Sequence, residues 1–271
     1  MPARDAGKLL YEQANALRSS RFPVVVVQNG HDPLEAVAAP LGIEVVRALE
    51  RIGVSYARNA GVAATSATIV VFCDADDIAA PGFVDAMTEA LGRYDVVGGA
   101  LDRRRFLRPE QLPEDAGPQT ELAVPFAGYL PFASGAAIGV RREVFDTIGG
   151  FDETYVRGGD DVDFCWRAQQ AGFTIGFAAD AVMHYRERAT LRGLAKQHYR
   201  FGLQDPHLFR DHRSHGMPRP GPRAVVGSWL SLTVGAPRWL TSPYRRRQWV
   251  RSLARRVGRV VGSVRWRTLY L

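Results

Sequence analysis

Cysteine is scarce in this chain, and the scarcity excludes a class of folds. Of 271 residues two are cysteine, Cys73 inside an apolar run and Cys165 inside a predicted helix, so there is no disulfide framework and no cysteine metal-ligand spacing. Such a chain suits a reducing compartment. Long apolar runs are also missing, since no uninterrupted stretch reaches the roughly 18 residues of a spanning helix. No basic, apolar, small-residue leader opens the sequence, so nothing there argues for secretion. Acid is missing from a whole region. From His212 to Leu271 there are 13 arginines, no lysine and no acid, so the +7 of the chain is the sum of +13 there and −6 over residues 1 to 211. A nucleic-acid binder spreads basic residues across its folded face, and no such partner is expected here.

What is present is ordinary globular composition, with 46% hydrophobic and 23% charged residues. At this length one large α/β domain with an appendage is expected, the domain over residues 1 to 205 and a helical tail over 206 to 271. The domain is organised around Ile69-Val70-Val71-Phe72-Cys73, a β-branched run without charge that reads as a strand buried on both faces. It runs into Asp74-Ala75-Asp76-Asp77. In open α/β sheets the carboxyl ends of strands face the ligand crevice, so these acids lie where a substrate binds. Asp74 and Asp76, two apart on extended backbone, point the same way and suit a hard divalent cation, Mg or Mn.

Around that strand the elements alternate. Lys8 to Leu17 has helical periodicity, Val24 to Val27 is a buried strand, and Gln28-Asn29-Gly30-His31-Asp32 is a polar turn at its carboxyl end. Ile43 to Arg47 reads as a strand. Ser55 to Thr65 reads as a helix with Ser55 as N-cap. Further strands are predicted near 95 to 101, 132 to 140, 174 to 178 and 181 to 185, and residues 102 to 125 form a long loop. A second acidic cluster, Gly158-Gly159-Asp160-Asp161-Val162-Asp163, opens a helix to about Ala171. Acids at a helix start complement its dipole and can cap free N–H groups, a role that Asp163 suits best. The same position keeps a carboxylate ionised at neutral pH.

Five stretches, Ala57-Arg58-Asn59-Ala60-Gly61, Phe72 to Asp77, Gly149-Gly150-Phe151-Asp152-Glu153, Gly159 to Arg167 and His184-Tyr185, together resemble the inverting family 2 glycosyltransferases with the GT-A fold. The resemblance implies a single Rossmann-like, doubly wound mixed sheet. It implies a nucleotide-diphosphate sugar as donor and a hydroxyl as acceptor, on a sugar or a lipid-linked sugar. Pro2, Arg4 and the Gln28 to Asp32 turn, with Asn29, would hold the nucleotide, and Arg58 and Asn59 would support the diphosphate. Asp74-Ala75-Asp76 would be the family's D-x-D, Asp74 on the ribose and Asp76 on the metal, with His184 as a further ligand. Glu-Asp in the family becomes Asp160-Asp161 here, which makes Asp161 the base that deprotonates the acceptor. Asp163 and Trp166 would lie on the acceptor side, although a tryptophan such as Trp166 or Trp229 is more often a core or interface group than a sugar platform. Gln28 stands where the family commonly has Asp, and His31 where it has Ser. Pro2-Ala3-Arg4-Asp5 resembles the loop after the family's first strand, so that strand is expected upstream of Met1.

The tail has its own pattern. Ala224 to Pro237 is apolar for 14 residues, about 21 Å as a helix and short of the roughly 30 Å hydrocarbon core. In Arg245 to Trp266, valines and leucines fall on one helical face and Arg251, Arg255 and Arg259 on another. This pattern suggests binding to an anionic membrane surface, at the cytoplasmic face of the cell membrane. Two other functions compete: a metal-dependent phosphohydrolase that uses the D-x-D as nucleophile, and a degenerate sugar-binding or nucleotide-binding module.

Overall fold

The computed structural model describes all residues except 4–6, 19, 32, 125–127, 157, 235 and 237–240. The strands fall into two sheets. β1 (Pro2–Ala3), β2 (Val25–Gln28) and β3 (Glu44–Arg47) form a parallel sheet in that order. β4 (Ile69–Cys73), β5 (Ile78–Ala79), β6 (Val96–Asp102), β7 (Ala137–Arg141) and β8 (Ile175–His184) form a mixed sheet in the order β4-β7-β6-β8-β5. The α/β architecture with a helical carboxyl-terminal region follows the sequence pattern, while the pairing is divided where one sheet was expected. Pro2 and Ala3 are a short strand on Val27 and Gln28, not a loop, and the Met1 carbonyl accepts from Val27 N–H at 2.9 Å. Two residues of pairing are too few to carry a ladder across to β4.

The central strand is β6, all seven of whose residues are buried. β4 lies at the edge of its sheet, and only Phe72 and Cys73 are buried in it, so the sequence overstated its burial on both faces. One face of the mixed sheet packs Met87 and Phe83 of α4 (Phe83–Ala90) with Leu91, Val97 and Met183. The other face packs Phe72, Phe145, Phe151 and Phe164, which bring in α5 (Arg142–Ile148) and α6 (Asp160–Gln170). Each such phenylalanine contributes about 1.5 to 3 kcal/mol by burial. α3 (Val54–Ala63) follows β3, and its N-cap is Gly53. Ser55 lies inside the first turn with its hydroxyl buried and unbonded, so it does not cap as the sequence suggested.

The carboxyl-terminal region packs on the domain. α7 (Leu191–His212) runs through the boundary expected between residues 205 and 206, with Pro206 inside it, and only then does the chain turn towards α8 (Pro222–Val234) and α9 (Pro243–Arg265). α7 and α9 cross closely because glycines meet at the crossing: a side chain at Gly258 would strike Tyr199 O, and one at Gly262 would strike Leu203 O. The arginines of α9 that the sequence assigned to a lipid-facing side turn inward. Arg255 Nε donates to buried Asp205 at 2.8 Å and Arg259 Nε at 2.6 Å, while Arg247 and Arg251 pair with Glu187. The valines face out instead, with Val257, Val260, Val261 and Val264 all exposed. Two domain acids, each buried and each needing countercharge, set this orientation.

Asp205→Ala should lower unfolding stability by roughly 3 kcal/mol, the scale of breaking a buried ion pair, in urea denaturation of the full chain. A change below about 0.5 kcal/mol, the range of ordinary surface substitutions, would show that the α7–α9 crossing does not depend on the charge.

Candidate active site

The first acidic group forms at the carboxyl end of β4. Asp74, Asp76 and Asp77 each offer a carboxylate oxygen, and these atoms all lie within 4.8 Å of one another. Asp77 is buried; its Oδ1 accepts from Arg186 N–H at 2.6 Å, and its Oδ2 has no partner. Burial, reinforced by the nearby Asp74, pushes the Asp77 carboxyl up to about 8 and raises Asp76 as well. A set of hard oxygen donors crowded until they resist ionising is chemically matched to a divalent cation, which restores the balance of charge. The residues present therefore fit Mn or Mg. His184 is not part of this group. Its backbone pairs with Ile78, but its Nδ1 lies 3.8 Å from Asp102 Oδ2, and burial followed by Arg105 lowers its pKa.

The second acidic group opens α6. Gly158 and Gly159 adopt φ of 110° and 87°, which residues with a side chain rarely do, and this turn delivers Asp160 and Asp161 to the first helical turn. Gly159 is the N-cap, so no acid caps the helix. Asp163 instead accepts from Arg167 Nε at 2.8 Å and lies 3.0 Å from His212 Nε2, deep in the protein. Trp166 is fully buried and donates to Leu130 O at 2.8 Å. Asp163 and Trp166 thus build the interior behind the site rather than an acceptor surface.

Arg58 on α3 joins the two groups. Its guanidinium donates to Asp160 Oδ2 at 2.5 Å, Asp74 Oδ1 at 3.2 Å and Gly135 O at 2.9 Å, and it lies over the Phe151 ring. Sequence reasoning set Arg58 on a diphosphate; the fold turns it onto carboxylates instead. Burial opposes its charge, but Asp160 and then Asp74 outweigh burial and raise its pKa. Gly135 serves both sides, since its N–H donates to Asp161 Oδ2 at 2.9 Å. Asp161 is half-buried, and Asp160 is buried. The expectation that a helix start keeps these acids readily ionised is overturned by desolvation: burial pushes Asp160 up to about 7 against the pull of Arg58, and raises Asp161 against the Gly135 N–H.

The remaining candidates divide. Asn29 spends its amide on the chain itself, donating to Ala48 O and Arg51 O and accepting from Gly53 N–H. Asn59 likewise clasps Phe151, donating to its carbonyl at 2.9 Å and accepting from its N–H at 2.9 Å. Both position loops. Gln28 is buried, with Nε2 donating to Gly30 O and Oε1 without a partner. Pro2 lies in β1, and Arg4 and Asp32 fall outside the described residues. Sequence reasoning missed Arg186 and Arg188. Arg186 Nε donates to Asp76 O at 2.8 Å, and Arg188 Nη1 donates to Asp76 Oδ2 at 3.3 Å. The signal available was their place directly after His184-Tyr185, at the end of a strand beside the acids.

A carboxyl whose pKa is raised by folding stabilises the fold fully below its unfolded value of 3.8, and that contribution is lost as pH rises through about 7. Asp160→Asn should therefore flatten the fall of melting temperature between pH 5 and 8 in EDTA. An unchanged slope would assign the titration to other groups.

A profile of Glycosyl transferase family 2 matches residues 1–149, more than half the chain. Over 251 residues the chain is 29% identical to the pre-mycofactocin glycosyltransferase of Mycobacterium tuberculosis strain H37Rv, a match covering 87% of this chain and 52% of that protein. The chain thus spans about half the length of the curated relatives it matches. Among solved structures, the mannosyltransferase PcManGT from Pyrobaculum calidifontis in complex with GDP-Man and Mn2+ superposes with a TM-score of 0.63 at 19% identity, covering 96% of this chain and 85% of that one. Glucosyl-3-phosphoglycerate synthase from Mycobacterium tuberculosis, in complex with Mn2+, UDP and glucosyl-3-phosphoglycerate, superposes at 0.51 with 22% identity, covering 74% of this chain and 75% of that one. At these identities the structural likeness establishes the shared GT-A fold. Because the family profile covers more than half of it, the chain belongs to glycosyltransferase family 2.

Proposed function

We propose that this glycosyltransferase moves a sugar from a nucleoside-diphosphate donor to a hydroxyl acceptor with inversion at the anomeric carbon. The observation that carries the reading is Arg58, one buried guanidinium bonded to Asp74 of the first acidic group and Asp160 of the second. It ties the cation-binding group to the helix start that carries the candidate base, one residue after Asp160. Asp74, Asp76 and Asp77 would hold Mn or Mg, and the cation would neutralise charge gathering on the departing diphosphate. The two structural neighbours named above bind GDP-Man or UDP with Mn2+, which supports a nucleotide donor here. Gln28, whose buried Oε1 lacks a partner, would accept from the nucleobase.

Asp161 rather than Asp160 serves as the base in this reading. Asp160 is buried and bonded to Arg58, whereas Asp161 is half-buried and retains a lone pair on Oδ2 beyond the one given to Gly135 N–H. Its raised pKa makes it a stronger proton acceptor once ionised. The phosphohydrolase alternative gives way to family membership. It would also leave the second acidic group without a task.

A membrane-surface role is supported by a different observation. Val226, Leu230 and Val234 of α8 and Val260, Val261 and Val264 of α9 are exposed within a stretch that carries arginine and no acid. Tyr199, Trp249, Val250, Leu253 and Val257 also line an apolar groove of about 440 Å3 between α7 and α9. No described helix is long and apolar enough to cross a membrane. With Arg255 and Arg259 turned inward, attachment would rest on the apolar face more than on charge.

Asp76→Ala should abolish Mn2+-dependent binding of UDP or GDP in calorimetric titration while the melting temperature holds. Binding that persists would remove Asp76 from the site. Asp161→Asn should leave nucleotide affinity intact and lower turnover by roughly a hundredfold or more; if Asp160→Asn alone did this, the base is the neighbouring residue. In flotation with phosphatidylglycerol vesicles, Val260→Asp with Val264→Asp should reduce binding at least about tenfold, the scale of charge placed on an apolar contact face. Equal flotation of parent and variant would discard the apolar face as the attachment surface.

A further inference from the structure

Tyr185 N–H still donates to Asp102 O of β6, and residues 186 to 189 then leave the sheet as a strap that presents side chains to two sides. Arg186 and Arg188 face the first acidic group: Arg186 N–H donates to Asp77 Oδ1 at 2.6 Å, its Nε to Asp76 O at 2.8 Å, and Arg188 Nη1 to Asp76 Oδ2 at 3.3 Å. Glu187 between them is buried against α9 instead. There Arg247, 2% exposed, donates to Glu187 Oε2 at 2.5 Å, to Arg188 O at 2.8 Å and to Ala189 O at 2.9 Å, and Arg251 holds Glu187 Oε1. The strap has left the ladder, and among the described residues no strand donates to these carbonyls. One guanidinium on the last helix does so.

We propose that Arg247 is a positioning residue for the metal and diphosphate site, acting through the strap. By fixing Glu187 and two successive carbonyls, it holds Arg186 and Arg188 in register with Asp77 and Asp76. A rigid fork that satisfies two carbonyls and a carboxylate together suits this task, and a lysine, with one nitrogen, cannot replace it. The carboxyl-terminal helix is thereby part of the donor site's frame. This inference rests on the reading of Asp74, Asp76 and Asp77 as the cation site. Arg186 and Arg188, bonded directly to the aspartates, are partners of the kind that govern metal affinity by about 10-fold to 100-fold, and Arg247 acts through them.

The test uses the full chain with Arg247→Met and Arg247→Lys, and titrates Mn2+ alone and then UDP or GDP with Mn2+. Both variants should weaken Mn2+ about tenfold or more and raise donor KM, while kcat at saturating Mn2+ returns close to the parent value. Asp205→Asn is the control, since it loosens the same two helices away from the strap; it should lower the melting temperature and leave Mn2+ affinity unchanged. Should Arg247→Met fail to fold, Arg247→Lys, which keeps a charge beside Glu187, gives the same reading. The proposal is overturned if folded Arg247 variants bind Mn2+ like the parent, or if Asp205→Asn weakens Mn2+ as much at equal loss of melting temperature. A parent chain that binds no Mn2+ overturns the cation-site reading and this inference with it, an outcome distinct from either of those.

Discussion

Five carboxylates from two distant stretches of chain are brought close together, and the structure depends on what balances them. Arg58 is the central counterion: buried, bonded to Asp74, Asp160 and Gly135 O, and supported by the Phe151 ring. Taking even one charge out of water costs several kcal/mol unless bonds of this quality offset it. The rest of the site is arranged around that requirement. α3 exists at the right height to supply the arginine, Asn59 one residue on secures the Phe151 loop beneath it, and the Gly158-Gly159 turn brings the second acidic group within reach. Where countercharge is short, as at Asp77, the carboxyl holds its proton up to about 8.

The same rule governs the outer layers. Glu187 and Asp205 are buried acids of the domain, and α9 is oriented to meet them with Arg247, Arg251, Arg255 and Arg259. A helical wheel drawn from sequence assigns those arginines to solvent or lipid and the valines to the core, since hydrophobicity is the usual guide. Here two buried charges outweigh the exposure of a valine stripe. Each valine left out forfeits at most about 1.5 to 3 kcal/mol of burial, and Val257, Val260 and Val261 only part of that because they are about 40% exposed, whereas each stranded acid would cost several.

The two acidic groups were legible because they are local: runs of acids beside an apolar strand or after paired glycines carry their meaning within ten residues. The α/β alternation and the grouping of Asp74 with Asp76 were legible for the same reason. Long-range pairings were not. Nothing local tells that Arg58 faces carboxylates, that Asn29 and Asn59 spend their amides on backbone, or that Asp163 binds Arg167 and His212. These depend on which residues the fold brings opposite them. Desolvation was likewise hidden, since the helix start argues for ionised acids until the depth of Asp160 is known. The inward turn of α9 required the depth of Glu187 and Asp205, which a wheel does not contain.

Gly135 links these threads. Its N–H goes to Asp161 and its carbonyl to Arg58, and the space a side chain would need there is filled by the Arg58 guanidinium, whose carbon would lie 2.7 Å from a Cβ. In the proposed reaction, the spacing between leaving-group chemistry and proton abstraction would therefore be set by the N–H and carbonyl of one residue without a side chain. An inverting displacement needs its two ends held at a fixed separation along one line. In the proposed reaction the ruler for that separation would be backbone, which has no rotamers to sample, so the reacting axis would follow the path of the chain rather than the setting of a side chain.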